Sequence, residues 1–216
     1  MRINILTLFP EYFASSLASS MLKRASDAQV VEYNVINIRD FTTDKHRVTD
    51  DRPFGGGPGM VMKIEPIDLS LQTIRAELPQ DATHKVVLLS AKGEAYTQAT
   101  ARQYSTLDAL TLICGHYEGV DERVAENLVD AEIRIGEYVL TGGEPAAAVV
   151  VDSVVRLLPG SLGNAESTVG ESHEMPGQLG HPQYTRPAEY RGWKVPDVLQ
   201  GGDHKQITEW RNMHKK

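Results

Sequence analysis

The chain has 216 residues, of which 41% are apolar and 24% charged, with a net charge of −7 and a pI near 5.5. This composition supports a buried core and excludes wholesale disorder, while the acidity excludes a protein that coats nucleic acid by bulk charge, so any RNA contact must be local. One cysteine, Cys114, excludes an internal disulfide, the seven histidines show no zinc spacing, and no apolar run resembles a signal peptide or approaches the roughly 18 residues of a membrane helix, which makes the cytoplasm the expected compartment.

In chain order, Ile3 to Phe9 reads as a strand, Glu11 to Ser26 as one helix and Val30 to Ile38 as a second strand, a βαβ unit. After an irregular stretch, Pro66 marks the first turn of a helix running to Leu78. A strand Lys85 to Ser90, a helix Gln98 to Tyr104 and a strand Leu110 to Cys114 follow. Then come a helix Asp121 to Leu128, a strand Glu132 to Ile135 and a long helix Glu144 to Leu158. Strand and helix in alternation imply an α/β fold, a mainly parallel sheet with helices on both faces. From Pro159 to Gly202, Gly160, Gly163, Gly170, Gly177, Gly180 and Gly192 are interspersed with prolines and apolar periodicity disappears, the composition of a long loop or linker. A short amphipathic helix, His204 to His214, closes the chain.

Three glycine-bearing clusters stand out. Phe54-Gly55-Gly56-Gly57-Pro58-Gly59-Met60 exposes backbone to a ligand, but lacks the Gly-Lys-Ser/Thr of a phosphate loop and the strand-bound G-x-G-x-x-G of a dinucleotide site. Cys114-Gly115-His116-Tyr117-Glu118-Gly119 and Ile135-Gly136-Glu137-Tyr138-Val139-Leu140-Thr141-Gly142-Gly143-Glu144-Pro145 each follow a strand and lead into a helix. Ligands of parallel sheets sit at such carboxyl ends, and with Leu88-Leu89-Ser90 these segments outline a pocket. Asp121 is placed to cap its helix, and Cys114 reads as a packed thiol rather than a nucleophile. On spacing alone Arg156, Glu166 and Glu171 are not catalytic.

Asp50-Asp51-Arg52-Pro53-Phe54-Gly55-Gly56-Gly57-Pro58-Gly59-Met60, Cys114 to Arg123, Ile135 to Glu144 and His181-Pro182-Gln183-Tyr184-Thr185-Arg186-Pro187, in this order, resemble the bacterial tRNA (guanine-37 N1)-methyltransferases of the SPOUT superfamily. The likeness runs from Leu6-Thr7-Leu8-Phe9-Pro10 to about Trp210. It implies a trefoil knot toward the C-terminal side of the α/β domain, a homodimer with active sites between subunits, and tRNA as partner. It also implies S-adenosylmethionine as cofactor, walled by Leu88, Leu89, Ser90, Gly115, Tyr117, Ile135, Gly136, Glu137, Tyr138, Val139, Leu140, Gly142, Gly143 and Pro145. His46, Arg47, Asp51, Arg52, Gly59 and Glu118 would meet the tRNA, and Glu118 is one carboxylate toward a magnesium ion.

Guanine N1 carries a proton, so the chemistry needs a carboxylate to remove it and a cation beside O6. The family pattern Ser-x-x-x-Asp-Ser falls here on Ser167-Thr168-Val169-Gly170-Glu171-Ser172. Glutamate stands where the family has aspartate. The resemblance thus names Glu171 as base, with Glu166 in reserve, and Arg156 as the O6 partner.

The implied organisation is a methyltransferase domain over 1–160, a linker or active-site lid over 161–187, and a short helical tRNA-binding segment over 188–216. Arg186, Arg191, Lys194, Lys205, Arg211, Lys215 and Lys216 extend the expected RNA surface. The family usually continues past the stretch resembling Ile207 to Arg211, which predicts weaker tRNA binding for a chain ending at Lys216. Competing readings are a non-catalytic RNA-binding module that keeps the cofactor and a methyltransferase for another RNA site. A nucleotide hydrolase lacks its phosphate lysine and metal carboxylates.

Overall fold

The structure is a computed structural model that describes residues 1–162, 170–175 and 177–215. Strand β1 (Arg2–Thr7) leads through a 3₁₀ turn (Pro10–Phe13) to α1 (Ala14–Leu17), α2 (Ser20–Asp27) and β2 (Glu32–Asn37). The single helix expected over 11–26 is therefore two. Serine hydroxyls compete for the backbone here: Ser16 donates to the Phe13 carbonyl and Ser19 to that of Ser15, and Ser19 is extended with Ser20 at a φ of 48°.

The irregular stretch contains a two-residue antiparallel ladder, β3 (Asp50–Asp51) with β4 (Val61–Met62), too short to show a period of two. Next come α3 (Ile64–Glu77), β5 (His84–Ala95), α4 (Gln98–Tyr104), β6 (Ala109–Cys114), α5 (Glu122–Asn127), β7 (Ala131–Arg134) and α6 (Glu144–Val155). Strand β5 continues past the expected end at Ser90 because β7 pairs with both of its halves, with a register shift between Leu89 and Glu94. Gly93 permits that approach: a Cβ there would lie 2.4 Å from the Ile133 amide nitrogen. The stretch expected to be a long loop or linker contains a hairpin, β8 (Glu189–Tyr190) and β9 (Trp193–Lys194), and a 3₁₀ turn (Asp197–Leu199), before α7 (His204–Met213).

Five strands form one sheet in the order β2-β1-β6-β5-β7, and every pair is parallel. Side chains alternate between its faces. Val87, Leu89, Leu110 and Leu112 pack with Phe13, Leu22, Tyr104 and the valines of α6, while Val86, Leu88 and Ile113 pack with Ile67, Leu71 and Ile74 of α3 and Val124 of α5. Both faces are thus covered, which is why all six residues of β6 are buried and its sequence is a continuous apolar run but for Thr111. Thr111 accepts a hydrogen bond from Asn4 in the neighbouring strand.

The chain divides into two compact units, Met1–Ala165 and Glu166–Lys216. In the second, the rings of His181 and Tyr184 lie edge-on to Trp210, and His214 stacks on it at 4.0 Å.

Candidate active site

Parallel strands bring their carboxyl ends to one edge, and the chain leaves β5, β6 and β7 there as neighbours. Between them opens a cleft of about 440 Å³. Of the fourteen residues assigned to the cofactor, Leu88, Leu89, Ser90, Gly115, Tyr117, Ile135, Gly136, Tyr138, Val139, Leu140, Gly142 and Gly143 line it. Glu137 and Pro145 stand outside its wall, Pro145 in the first turn of α6. The lining also holds Lys92, Glu132 and Ala146, and, from within the cluster Cys114 to Arg123, His116 and Glu122, none of which was assigned a role from sequence. Lys92 follows the expected end of β5; it pairs with Glu122 and lies 4.0 Å from Glu132. The hydrogen bond to Glu122 holds the Lys92 ammonium above its usual pKa.

The floor of the cleft is backbone on backbone. Gly143 donates to the Gly115 carbonyl at 2.8 Å, and a Cβ on Gly143 would stand 2.7 Å from Cys114 Cα. Only glycine allows this contact. Below it, Glu144 is buried at the start of α6, where its Oε1 accepts the Thr7 hydroxyl at 2.6 Å, and Thr7 Oγ1 accepts the Phe9 amide at 2.9 Å. Burial, and then the charge of Glu144, push the Cys114 thiol well above its ordinary pKa. A thiol so placed does not ionise near neutral pH, so Cys114 packs rather than reacts.

The glycine loop is pinned to the rim of this cleft. Gly59 has a φ of +80°, and a Cβ there would lie 2.4 Å from Cγ of Glu118, which lines the cleft. The Glu118 amide donates to the Met60 carbonyl, Met62 to that of Gly119 and Asp121 to that of Met62. Asp121 also caps α5, and its hydrogen bonds from Arg123 hold its carboxyl below the ordinary range. Phe54 is fully exposed at the loop, as are Asp51 and Arg52 in large part. His46 sits in a turn whose Asp44 carboxylate accepts its amide, and Arg47 pairs with Asp40 at 2.9 Å.

Arg156 terminates α6, twelve residues from its start at the cleft, or roughly 18 Å of helix. Just beyond, Gly160 lies against Val30, two residues before β2 at the amino end of the sheet. Within one chain, then, Arg156 and the cleft occupy opposite ends of the sheet. Glu171 belongs to the second unit, where its carbonyl accepts the Glu174 amide. Glu166, Ser167, Thr168 and Val169 lie outside the described residues, as do Gly163, Pro176 and Lys216. Among the described residues no three His, Cys, Asp or Glu side chains converge to hold a metal ion, and Glu118 alone does not make a magnesium site. No described helix is long and apolar enough to cross a membrane.

Comparison with known proteins adds the family. The tRNA (guanine-1)-methyltransferase family TrmD matches residues 1–216. Proteins named tRNA (guanine-N(1)-)-methyltransferase from Bacillus cereus strain AH820, Bacillus anthracis strain CDC 684 / NRRL 3495 and Bacillus thuringiensis subsp. konkukian strain 97-27 are each 51% identical to this chain over 212 residues. The match covers 98% of this chain and 86% of each relative.

Proposed function

Since this chain belongs to the tRNA (guanine-1)-methyltransferase family, we propose that it transfers a methyl group from S-adenosylmethionine to N1 of guanosine 37, beside the anticodon of tRNA. The observation that carries this reading is the cleft at the ends of β5, β6 and β7. Its volume falls in the range of about 300–1,000 Å³ typical of small-ligand sites, and its glycine wall leaves a backbone surface against which an adenosine can lie flat. When bound, S-adenosylmethionine supplies a methyl carbon made electrophilic by its positive sulfur.

The protein's own task is the proton and the charge. The carboxylate of Glu171 takes the N1 proton as the new N1–carbon bond forms, and the guanidinium of Arg156 steadies the charge that gathers on O6. Because Arg156 and the cleft lie at opposite ends of the sheet in one chain, we assign a homodimer in which the partner subunit's Arg156 completes each site. The close packing of Gly143 on Cys114 and Gly115 and the bridge of Gly142 to His116, together with the family, support a trefoil knot in the later part of 1–160.

Gly59 and Glu118, with His46, Arg47, Asp51 and Arg52, form the guanosine and anticodon side of the site, a reading supported by the loop's attachment to the cleft rim. Residues 161–187 serve as linker and lid, residues 188–216 as the tRNA-holding segment, and the cytoplasm is where the substrate resides. The described side chains do not fit a resident magnesium ion.

The test is transfer of labelled methyl from S-adenosylmethionine to unmodified tRNA, with the product nucleoside mapped. Label at N1 of guanosine 37 that collapses in Glu171→Ala, with cofactor binding retained, is the expected result. Label at another position, or full activity in Glu171→Ala, would overturn the target or the base respectively.

A further inference from the structure

The hairpin of β8 and β9 presents two large rings to solvent. Tyr190 is 53% and Trp193 71% exposed, and they are cross-strand partners. Their centroids lie 6.1 Å apart with planes inclined at 53°. The two residues between them, Arg191 and Gly192, have φ of +53° and +83°, the double left-handed turn that matches the twist of a tight hairpin. The turn therefore holds both rings on one face. Arg191 places its guanidinium carbon 5.2 Å from the centre of the Tyr190 ring. Glu189 and Lys194, 3.6 Å apart, form the next cross-strand pair and alternate to the other face.

An ordered aromatic pair left in water does not contribute to a core. Its surroundings point to a nucleic-acid partner. The deficit of −7 lies wholly in residues 1–165, because residues 166–216 contain seven acidic and seven basic side chains. The second unit thus lacks the net charge that would repel phosphate, and a stacked arginine adds a local cation. On the reading that the chain methylates tRNA, we infer that this hairpin is a stacking platform for one unpaired nucleobase of the tRNA, received on the open face of Trp193, with Arg191 set to meet an adjacent phosphate.

One base, rather than a sandwich, follows from the geometry. Gripping a base between rings requires two parallel planes roughly 7 Å apart, twice the 3.4 Å rise of stacked bases, and the inclined pair offers no such slot. Unpaired loop bases are the ones that proteins splay onto aromatic side chains, and every base has a π face, so the contact tightens binding without reading sequence.

Trp193 is one of two tryptophans, so Trp210→Phe makes it the only one in an otherwise complete enzyme. Addition of tRNA is expected to quench Trp193 emission and to shield it from acrylamide. Trp193→Ala should raise KM for tRNA by roughly 5- to 100-fold, leaving kcat and S-adenosylmethionine affinity in place, and Trp193→Phe should restore most of the loss. The slope of log affinity against log salt should stay unchanged in Trp193→Ala but fall by about one in Arg191→Ala. Intact methyl transfer to tRNA with Trp193 emission unmoved, or with KM unchanged in Trp193→Ala, would overturn this inference alone. Trp193 already shielded in the RNA-free enzyme would mean that protein covers the hairpin, and would overturn it too. A wild-type enzyme that methylates no tRNA would overturn the function and the inference together.

Discussion

Residues 1–165 bury apolar side chains on both faces of a five-stranded sheet, whereas none of the described residues of 166–216 is buried. In the first unit, position is imposed by packing. The cleft is where strands end, its glycines are tolerances in a close-packed floor, and the buried Glu144 beneath that floor is held by a buried hydroxyl. In the second unit, short turns and partly exposed rings hold one another locally, as Trp210 does with His181, Tyr184 and His214. On the function proposed above, the difference separates two tasks: orienting a small ligand to a fraction of an ångström, and gripping a large polyanion through many separate contacts.

That contrast can be broken by substitution. The largest effect is expected from Gly143→Ala, whose added methyl group meets the backbone of Cys114 and Gly115. Displacing the cleft floor by about an ångström should lower methyl transfer by roughly 100-fold or more and abolish cofactor binding by calorimetry, while a cooperative unfolding transition persists. Next, Leu112→Ala at a fully buried strand centre should cost about 2–5 kcal/mol in chemical denaturation. The comparable truncation Ile207→Ala in α7 should cost less than about 1 kcal/mol, and leave cofactor affinity unchanged. Equal losses would contradict the division between a packed unit and an exposed one.

Thr7→Val removes the hydroxyl that Glu144 accepts and should cost about 1–3 kcal/mol. Urea midpoints of the single variants would show it. The smallest effect is one of pH. Burial, then the charge of Arg75, hold the His84 imidazole below its ordinary 6.5, against the pull of Asp130. The unfolded chain takes up this proton more readily than the folded one, so the stability present above pH 6.5 is lost as pH falls from there through the lower folded value. His84→Gln should flatten that decline; a decline unchanged in the variant would place its origin in other groups.

Much of the first unit was legible in the sequence because its signals are local and periodic. The helix Gln98–Tyr104 was read to the residue, and the glycine segments after β6 and β7 announced the cleft. The failures have physical causes. Adjacent serines split the helix expected over 11–26, an effect that apolar spacing does not register. Lys92 entered the cleft wall because β5 runs on past Ser90, which depends on β7 docking against Gly93, a contact some forty residues distant in sequence. His116 received no role of its own, although it lies in the segment that outlines the pocket. Its backbone amide meets Met62 Sδ at 3.2 Å, a tertiary contact that no spacing foretells. The family motif named Arg156 without saying to which cleft it belongs. Only the run of α6 from one end of the sheet to the other poses that question.

The most direct test of the account therefore pairs two inactive variants. Gly143→Ala destroys the cleft and keeps Arg156, Arg156→Ala does the reverse, and heterodimers carrying one of each are purified through two different tags. Recovery of methyl transfer to roughly half the wild-type rate, one competent site per pair, is the result that a site shared between two copies predicts. Heterodimers as inactive as either parent, in an assay where wild-type dimers methylate tRNA, would contradict it.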